Sequence, residues 1–435
     1  SHHALTALRD VVTPRRETVT VTGNFGDWSP ITVHLDGEIS VRDRSIPYKG
    51  AMFAVYPGDI VFSKIDARNG AIGMLPASIA KAVVTPEFPV FIADPTKLDS
   101  GFVQRVLRTG GFLKALRSKA TGTSGRKRIS PENFLNLRIP LPDLAEQQAI
   151  VAAYDAALKD AAAKEQAAEA VVAKAMADFE AALGFGAPMP LPERPIFVAS
   201  FKDIDRWSHE SVLSRITGGA TGTTSWPVLQ LGEVIADLEN GWSPKCLDRP
   251  AEPSEWGVLK LGAVSFGYFN ETENKALPSH LKPRPALEVK PGEALISRAN
   301  ISRLVGATAL IRETRPQLLL CDKIFRMVWR EKSPVTPEFV TEVLRIGDVR
   351  RQIETKLTGT SPTMKNISKP SLLSLTFPVP PLDDQRALIA AFDAGRAQAA
   401  RLRNEAAAAR AAAWTAFEAV VYTAQLATAP ETTAA

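Results

Sequence analysis

Two loops in this sequence carry side chains suited to pairing with the edges of planar bases. Lys64, Arg68 and Asn69 follow the run Pro57-Gly-Asp-Ile-Val-Phe62, and Arg298, Asn300 and Arg303 follow the similar run Pro291-Gly-Glu-Ala-Leu-Ile296. Arginine can donate two parallel hydrogen bonds to a guanine edge, and asparagine can pair in the same way with adenine. A second pair of segments joins glycine to hydroxyls and cations: Thr123, Ser124, Arg126, Lys127 and Arg128 after Gly122, and Thr360, Ser361, Thr363, Lys365 and Asn366 after Gly359. Such groups are donors for phosphate oxygens. A lone basic loop is usually no more than a solvated one, and the Thr-Gly-Thr-Ser glycines suit turns equally well. Recurrence of both loops at matching places in the chain lifts them above that background.

Other chemistry finds little to work with. The sequence has no GxxxxGK[ST] phosphate loop and no strand-GxGxxG-helix unit. It also lacks the Asn-Pro-Pro-Tyr or Asp-Pro-Pro-Tyr loop of amino-methyltransferases and a convincing Pro-Asp…Glu-x-Lys nuclease arrangement. Cys246 and Cys321 are 75 positions apart (321 − 246), and two of the five histidines fall in Ser1-His2-His3, which reads as a tag remnant. A disulfide framework, a metal site and thiol catalysis are therefore not expected, and the chain is expected to be non-catalytic, without a bound metal or cofactor. No run of 18 residues is free of charge, which argues against a membrane-spanning helix. No secretory signal stands out, and a reducing cytoplasm is the expected setting.

With 435 residues, 45% of them apolar and 23% charged, the chain is long enough for two or three domains. The net charge of +5 is unevenly spread. Residues 1–142 carry 19 basic and 12 acidic side chains (+7) and residues 143–184 carry 3 and 8 (−5). Residues 185–380 carry 25 and 21 (+4), and residues 381–435 carry 5 and 6 (−1). Two basic blocks alternate with neutral or acidic ones, which confines any polyanion to two places.

The alternation reflects an internal duplication. Pro140-Leu-Pro-Asp-Leu-Ala-Glu-Gln-Gln-Ala-Ile-Val-Ala-Ala-Tyr-Asp155 aligns without a gap on Pro378-Val-Pro-Pro-Leu-Asp-Asp-Gln-Arg-Ala-Leu-Ile-Ala-Ala-Phe-Asp393, with eight of sixteen positions identical. Upstream, Thr121–Ser124 answers Thr358–Ser361, Pro57–Ile60 answers Pro291–Ala294, and Leu8–Val12 answers Leu231–Ile235. The offset grows along the chain, so the second copy carries insertions, mostly between residues 235 and 290.

Each copy reads as a mixed α/β block followed by one long helix. Asp143 with Glu146 forms a capping-box pattern, and no proline or glycine interrupts 144–183. In the second helix Phe392, Gly395, Ala399, Leu402, Ala406, Ala409, Ala413 and Val420 repeat at heptad-like spacing. Tyr154, Ala157, Ala161, Lys164, Ala168, Val171, Ala175 and Ala182 form the matching seam of the first. Small residues on such a stripe let two helices approach closely as a coiled coil. Strands are expected after Pro57-Gly58 and Pro291-Gly292 and over 83–92 and 318–329, and amphipathic helices over 102–116 and 338–355. Ser130-Pro131 and Ser368-Lys-Pro370 read as helix starts, and Leu183–Pro195 as a linker.

These segments together resemble the DNA-specificity (S) subunit of type I restriction–modification systems. The residues that carry the resemblance are Gly122-Thr-Ser…Ile129-Ser, Leu137-x-Ile-Pro-x-Pro142 and the helix start Gln147–Asp155. Their second copies are Gly359-Thr-Ser…Ile367-Ser, Phe377-Pro-x-Pro380 and Gln385–Asp393. Lys64-Ile-Asp-Ala-Arg-Asn-Gly-Ala-Ile-Gly73 is similar to a segment of one group of target-recognition domains in that family.

The resemblance implies a fold of α/β (α+β) class, with two mixed target-recognition domains in tandem, each followed by a long helix, and the two helices paired. The expected boundaries are 1–142, helix 143–184, linker and second domain 185–380, helix 381–426, and a disordered tail 427–435. The resemblance also implies a non-catalytic reader of a bipartite, asymmetric site on double-stranded DNA, in a bacterial or archaeal cytoplasm. Its helices would set the spacer and dock two methyltransferase subunits, joined by restriction subunits in the full complex. S-adenosylmethionine would sit on the methyltransferase, ATP and magnesium on the restriction subunit, and no cofactor on this chain. The alternative reading is a coiled-coil scaffold that binds other proteins through its α/β blocks. The charge pattern, basic blocks and an acidic first helix, favours DNA on the blocks.

Overall fold

The structure, a computed structural model, describes residues 3–23, 25–43, 48–121, 128–184, 224–359 and 364–422. The chain divides into two units, one joining Ser1–Gln166 to Leu402–Ala435 and the other formed by Ala167–Arg401. Each unit contains one α/β block and part of both long helices. Among the described residues no helix is long and apolar enough to cross a membrane.

A four-stranded antiparallel sheet is common to both units. In the first unit its order is Val12–Pro14, Val90–Ala93, Ile60–Phe62, Ile72–Met74. In the second unit it is Ile235–Asn240, Ile324–Trp329, Ala294–Ser297, Thr308–Leu310. The strands Ile60–Phe62 and Ala294–Ser297 are wholly buried and, Ser297 apart, apolar, as expected of strands covered on both faces. A two-stranded ribbon recurs as well, Leu5–Ala7 with Arg138–Pro140 and Val228–Gln230 with Thr376–Pro378.

Around this shared frame the units differ. The first adds a five-stranded sheet in the order Thr18–Gly23, Tyr48–Val55, Ala82–Val84, Ser29–Val33, Ile39–Val41. The second adds a three-stranded sheet of Asn274–Ala276, Gly257–Leu259 and Leu318–Leu319, and a hairpin of Val264–Ser265 with Tyr268–Phe269. Most of this addition lies in the stretch where the repeat offset grows.

Four segments are more broken than their periodicity suggests. The expected helix 102–116 is two helices, Ser100–Val106 and Gly110–Ser118, and 338–355 is likewise Pro337–Val343 and Gly347–Thr355. Glycine disfavours helix, and the Thr109 hydroxyl accepts from Phe112 N at 3.3 Å as a new N-cap, so the chain restarts there. The run 83–92 is split by Pro86 and Pro89 into Ala82–Val84 and Val90–Ala93. The run 318–329 is split at Cys321-Asp-Lys323 into Leu318–Leu319 and Ile324–Trp329. Ser130 and Ser368 cap short helices, accepting from Asn133 N and Ser371 N at 3.1 Å each.

The long helices span Leu144–Ala182 and Leu382–Tyr422, and Asp143 caps the first by accepting from Glu146 N at 2.8 Å. Inside each unit the two helices pack on small residues: Ala161 and Ala406 are fully buried in the first, Ala168 and Ala399 in the second. A Cβ added to Gly395 would lie 2.8 Å from Ala175 Cβ, so glycine permits the close approach.

Near the helix ends the seam departs from the heptad spacing. Val420 and Ala182 are exposed, whereas Phe417, Val421, Phe179 and Leu183 are buried. An α-helix turns every 3.6 residues, so a stripe of 3.5 spacing drifts, and the buried face in the last turns advances by four. These turns face the α/β blocks. Phe417 packs with Phe102 and Tyr154 at centroid distances of 6.2 and 5.7 Å, and Phe179 with Phe339 and Phe392 at 6.1 and 5.7 Å.

Two polar contacts complete each junction. Glu418 accepts from Gly110 N at 2.6 Å and Glu180 from Gly347 N at 2.9 Å, each capping a helix of the other copy. Gln147 and Gln385 are fully buried at the matching helix starts. Gln147 accepts from Asp99 N at 2.9 Å and donates to Lys97 O and Pro142 O. Gln385 accepts from Thr336 N at 3.0 Å and donates to Pro334 O and Pro380 O.

Phe417→Ala is expected to cost about 3–5 kcal/mol of unfolding free energy, from the lost burial and the cavity left behind. The exposed Val420→Ala should stay within about 0.5 kcal/mol, and urea denaturation of the two variants checks the seam. In the second unit, burial pushes the Cys321 thiol up to about 11. Alkylation by iodoacetamide at pH 8, read by mass spectrometry, should spare Cys321 in the native chain and modify it in urea, because the thiolate is the nucleophile.

Candidate nucleic-acid interface

Antiparallel pairing brings the loops between neighbouring strands to one end of the shared sheet. In the first unit the strand Ile60–Phe62 runs into Ser63 and Lys64, and the strand Val90–Ala93 starts just after Glu87. Lys64 N donates to Glu87 O at 3.0 Å, and Lys64 O accepts from Ile129 N at 2.8 Å. Arg128 is held next to this point by a two-way backbone bridge with Thr121 (2.8 and 3.0 Å). Lys64, Glu87 and Arg128 therefore come from three separate segments and meet through main-chain bonds, to which the Arg128–Glu87 ion pair is added.

The second unit repeats the arrangement bond for bond. Arg298 N donates to Lys323 O at 2.9 Å, Arg298 O accepts from Ile367 N at 2.9 Å, and Asn366 bridges Thr358 at 2.8 and 2.9 Å. Arg298 thus occupies the place of Lys64, Lys323 that of Glu87, and Asn366 that of Arg128. The short strands Ala299–Asn300 and Lys365–Asn366 also pair here, so both candidate segments of the second copy lie side by side.

The loop after the central strand is braced from below. A short 3-10 turn, Ala67–Asn69 or Ser302–Leu304, is followed by a left-handed glycine, directly by Gly70 at φ 110° or, after Val305, by Gly306 at φ 77°. Arg117 Nε donates to Arg68 O at 2.8 Å, and Arg108 donates to Gly70 O at 2.6 Å and Leu35 O at 3.0 Å. In the second unit Arg350 donates to Ser302 O at 2.8 Å and also to Val305 O. Burial lowers the pKa of Arg108 and of Arg350, as expected of guanidinium groups withdrawn from water. Such bracing limits the conformational freedom that binding would otherwise remove.

The side chains at this edge are part-exposed and mostly basic. Arg128 lies 3.3 Å from the Glu87 carboxylate. The Arg298 guanidinium lies over the Phe325 ring at 5.2 Å. Lys365 Nζ donates to Gly359 O at 2.7 Å, Asn300 Oδ1 accepts from Ile301 N at 2.8 Å, and Asn69 and Arg303 are exposed. Nε of Arg68 and Nε of Arg298 are shielded from solvent and have no hydrogen-bond partner among the described residues. Burial raises the Asp322 carboxyl, but the Ser243 hydroxyl, Lys323 and Arg298 together outweigh it and hold the group below its ordinary range.

The structure thus brings together Lys64 and Arg128 in one unit, and Arg298, Asn300, Lys365 and Asn366 in the other. Arg68 and Arg303 occupy corresponding 3-10 turns beside them. Thr123, Ser124, Arg126, Lys127, Thr360, Ser361 and Thr363 lie outside the described residues, as do most of the linker and the tail. The sequence reading missed Glu87 and Lys323, which lie 236 positions apart in a stretch of low identity and emerge only from strand register. It also missed Trp242, whose ring lies 4.3 Å from the Arg284 guanidinium at the same end of the second sheet. Among the described residues no cluster of three His, Cys, Asp or Glu side chains could hold a metal ion.

No family model matches the chain. The EcoEI specificity subunit of the type I restriction enzyme from Escherichia coli is 34% identical over 170 residues, which is 39% of this chain and 28% of that protein. The EcoKI specificity subunit from Escherichia coli strain K12 is 22% identical over 350 residues, 77% of this chain and 67% of that protein. The match to EcoEI thus spans under a third of that relative's length. Among solved structures, a chain from a study of complex assembly and conformational transition in the type I R-M system superposes with a TM-score of 0.52 at 16% identity, over 97% of both chains. That likeness establishes the fold, two tandem mixed α/β blocks with two long helices that pack together. In sequence and in fold, the chain is similar to the specificity subunits of type I restriction enzymes.

Proposed function

We propose that this chain is the DNA-reading subunit of a type I restriction–modification complex. Each unit would place the loop end of its shared sheet in the major groove over one half of a bipartite site. The observation that carries this reading is the twice-built loop cluster, with one backbone frame and two different sets of Arg, Lys, Asn and Glu side chains. Matching frames suit two contacts of the same kind, and unlike side chains suit two different base sequences, hence a non-palindromic site. The similarity to specificity subunits supports the same reading.

The long helices would dock two methyltransferase subunits, and their length would set the spacer between the half-sites. The methyltransferase would bring S-adenosylmethionine and extrude the target adenine, and a restriction subunit would bring ATP and magnesium. This chain's own part is to bind and orient the DNA, so it is proposed as non-catalytic and cytoplasmic.

Methylome sequencing of cells that carry this chain and its methyltransferase partner tests the reading. A bipartite, non-palindromic adenine-methylated motif should be present, and it should vanish when the chain is deleted. A partner-dependent motif that persists without the chain would overturn it. Separately, replacing Arg126, Lys127 and Arg128 by Ala should weaken duplex binding and reduce the slope of log affinity against log salt by up to about 3. An unaltered slope would show that this loop does not touch phosphate.

A further inference from the structure

We infer that Glu87 and Lys323 are a matched pair of specificity-determining residues, one for each half-site; the inference rests on the DNA-reading function proposed above. Strand register establishes their equivalence. Phe91 lies opposite Ile60 in the first unit, and Met327 is in register with Ala294 in the second, since Leu295 faces Arg326. Counting back four residues from each gives Glu87 and Lys323. Both accept, through their main-chain carbonyls, from the residue that leaves the central strand, Lys64 N at 3.0 Å and Arg298 N at 2.9 Å.

At one structural position the copies therefore carry opposite charges. The surroundings change in step. In the first unit Glu87 is flanked by two cations, Lys64 and Arg128, and its carboxylate lies 3.3 Å from the Arg128 guanidinium. In the second unit the two flanking positions are Arg298 and Asn366, and Lys323 Nζ lies 3.1 Å from Asp322. Both side chains remain accessible, at 46% for Glu87 and 46% for Lys323.

The chemistry follows from the sign. A carboxylate accepts from the cytosine N4 amino group and repels phosphate, so any direct contact of Glu87 with DNA is to a base edge. Holding Arg128 beside it also directs that guanidinium to a defined place. An ammonium donates to guanine N7 and O6, so Lys323 favours the opposite type of edge. One position on a common frame thus selects opposite orientations of a G·C pair, cytosine facing Glu87 in one half-site and guanine facing Lys323 in the other.

The test uses the full chain with its methyltransferase partner, and the probe is a random duplex library selected for binding. Glu87→Gln and Lys323→Gln keep size and polarity while removing charge, and both side chains are half-exposed. Each variant is expected to lose about tenfold or more discrimination at a base pair in its own half-site and to leave the other half-site unaltered. Thermal denaturation of both variants should match the parent. A parent motif that both variants retain at full discrimination would overturn the inference while leaving the DNA-reading function standing. Loss spread evenly over both half-sites would overturn it as well, because a general change in charge acts that way. Absence of any enriched motif with the parent chain would overturn the underlying function itself.

Discussion

The architecture depends on two aromatic side chains that belong to one copy and are buried in the other. Phe417 ends the second helix but packs against Phe102 of the first α/β block, and Phe179 ends the first helix but packs against Phe339 of the second. Neither block closes its core with its own residues alone. Glu418 and Glu180 satisfy backbone donors at the starts of short helices there, which would otherwise be left at a helix N-terminus without a partner. Apolar burial holds the helix end in place and the carboxylate fixes its rotation. Sliding either helix by one turn would expose a phenylalanine and uncap a helix at once.

Gln147 and Gln385 do for the helix starts what the phenylalanines do for the ends. A buried primary amide must find partners for its donors and its acceptor or lose about 1–3 kcal/mol for each group left unpaired. Both find the same three backbone groups, two carbonyls and one N–H, in corresponding places. With both ends held, the middle of the helix pair needs little specificity of its own, and alanine and Gly395 are enough to let the backbones approach. The bidentate ion pair of Arg410 with Glu165 adds one polar contact in the first unit, and it lowers the Glu165 pKa through the hydrogen bond with that guanidinium. Being solvent-exposed, it contributes more to register than to stability.

Much of this was legible in the sequence because it repeats. Two copies of Pro-x-Pro followed by a helix start, with glutamine at the same step, mark the long helices and their pairing in the sequence itself. The loops carrying Lys64 and Arg298 were legible for the same reason. The insertions were not: their strands of two or three residues are too short for a period to show, and their pairing, such as Gly257 beside Leu318, joins residues far apart in the chain. The helix breaks at Gly110 and Gly347 were masked by apolar spacing that continues across them. Val420 was misplaced because a heptad count holds only where a partner helix, and not a domain, covers the seam.

Glu87 and Lys323 escaped notice for a more general reason. The frame that gathers them is made of main-chain hydrogen bonds, Lys64 N to Glu87 O and Arg298 N to Lys323 O, to which side-chain identity contributes nothing. Any residue except proline can donate at the first position, and any residue can accept at the second. Changing the side chain there costs the fold little, since neither is buried in an apolar core. A frame built in this way separates stability from selectivity: the sheet, the capped helices and the buried glutamines hold the loops, and the loops are free to carry any charge. Similarity between copies is then greatest in the residues that build the frame and least in those that would read a base. A search for matching residues finds the scaffold, whereas the positions where equivalent bonds hold unlike side chains mark the surface on which two half-sites can differ.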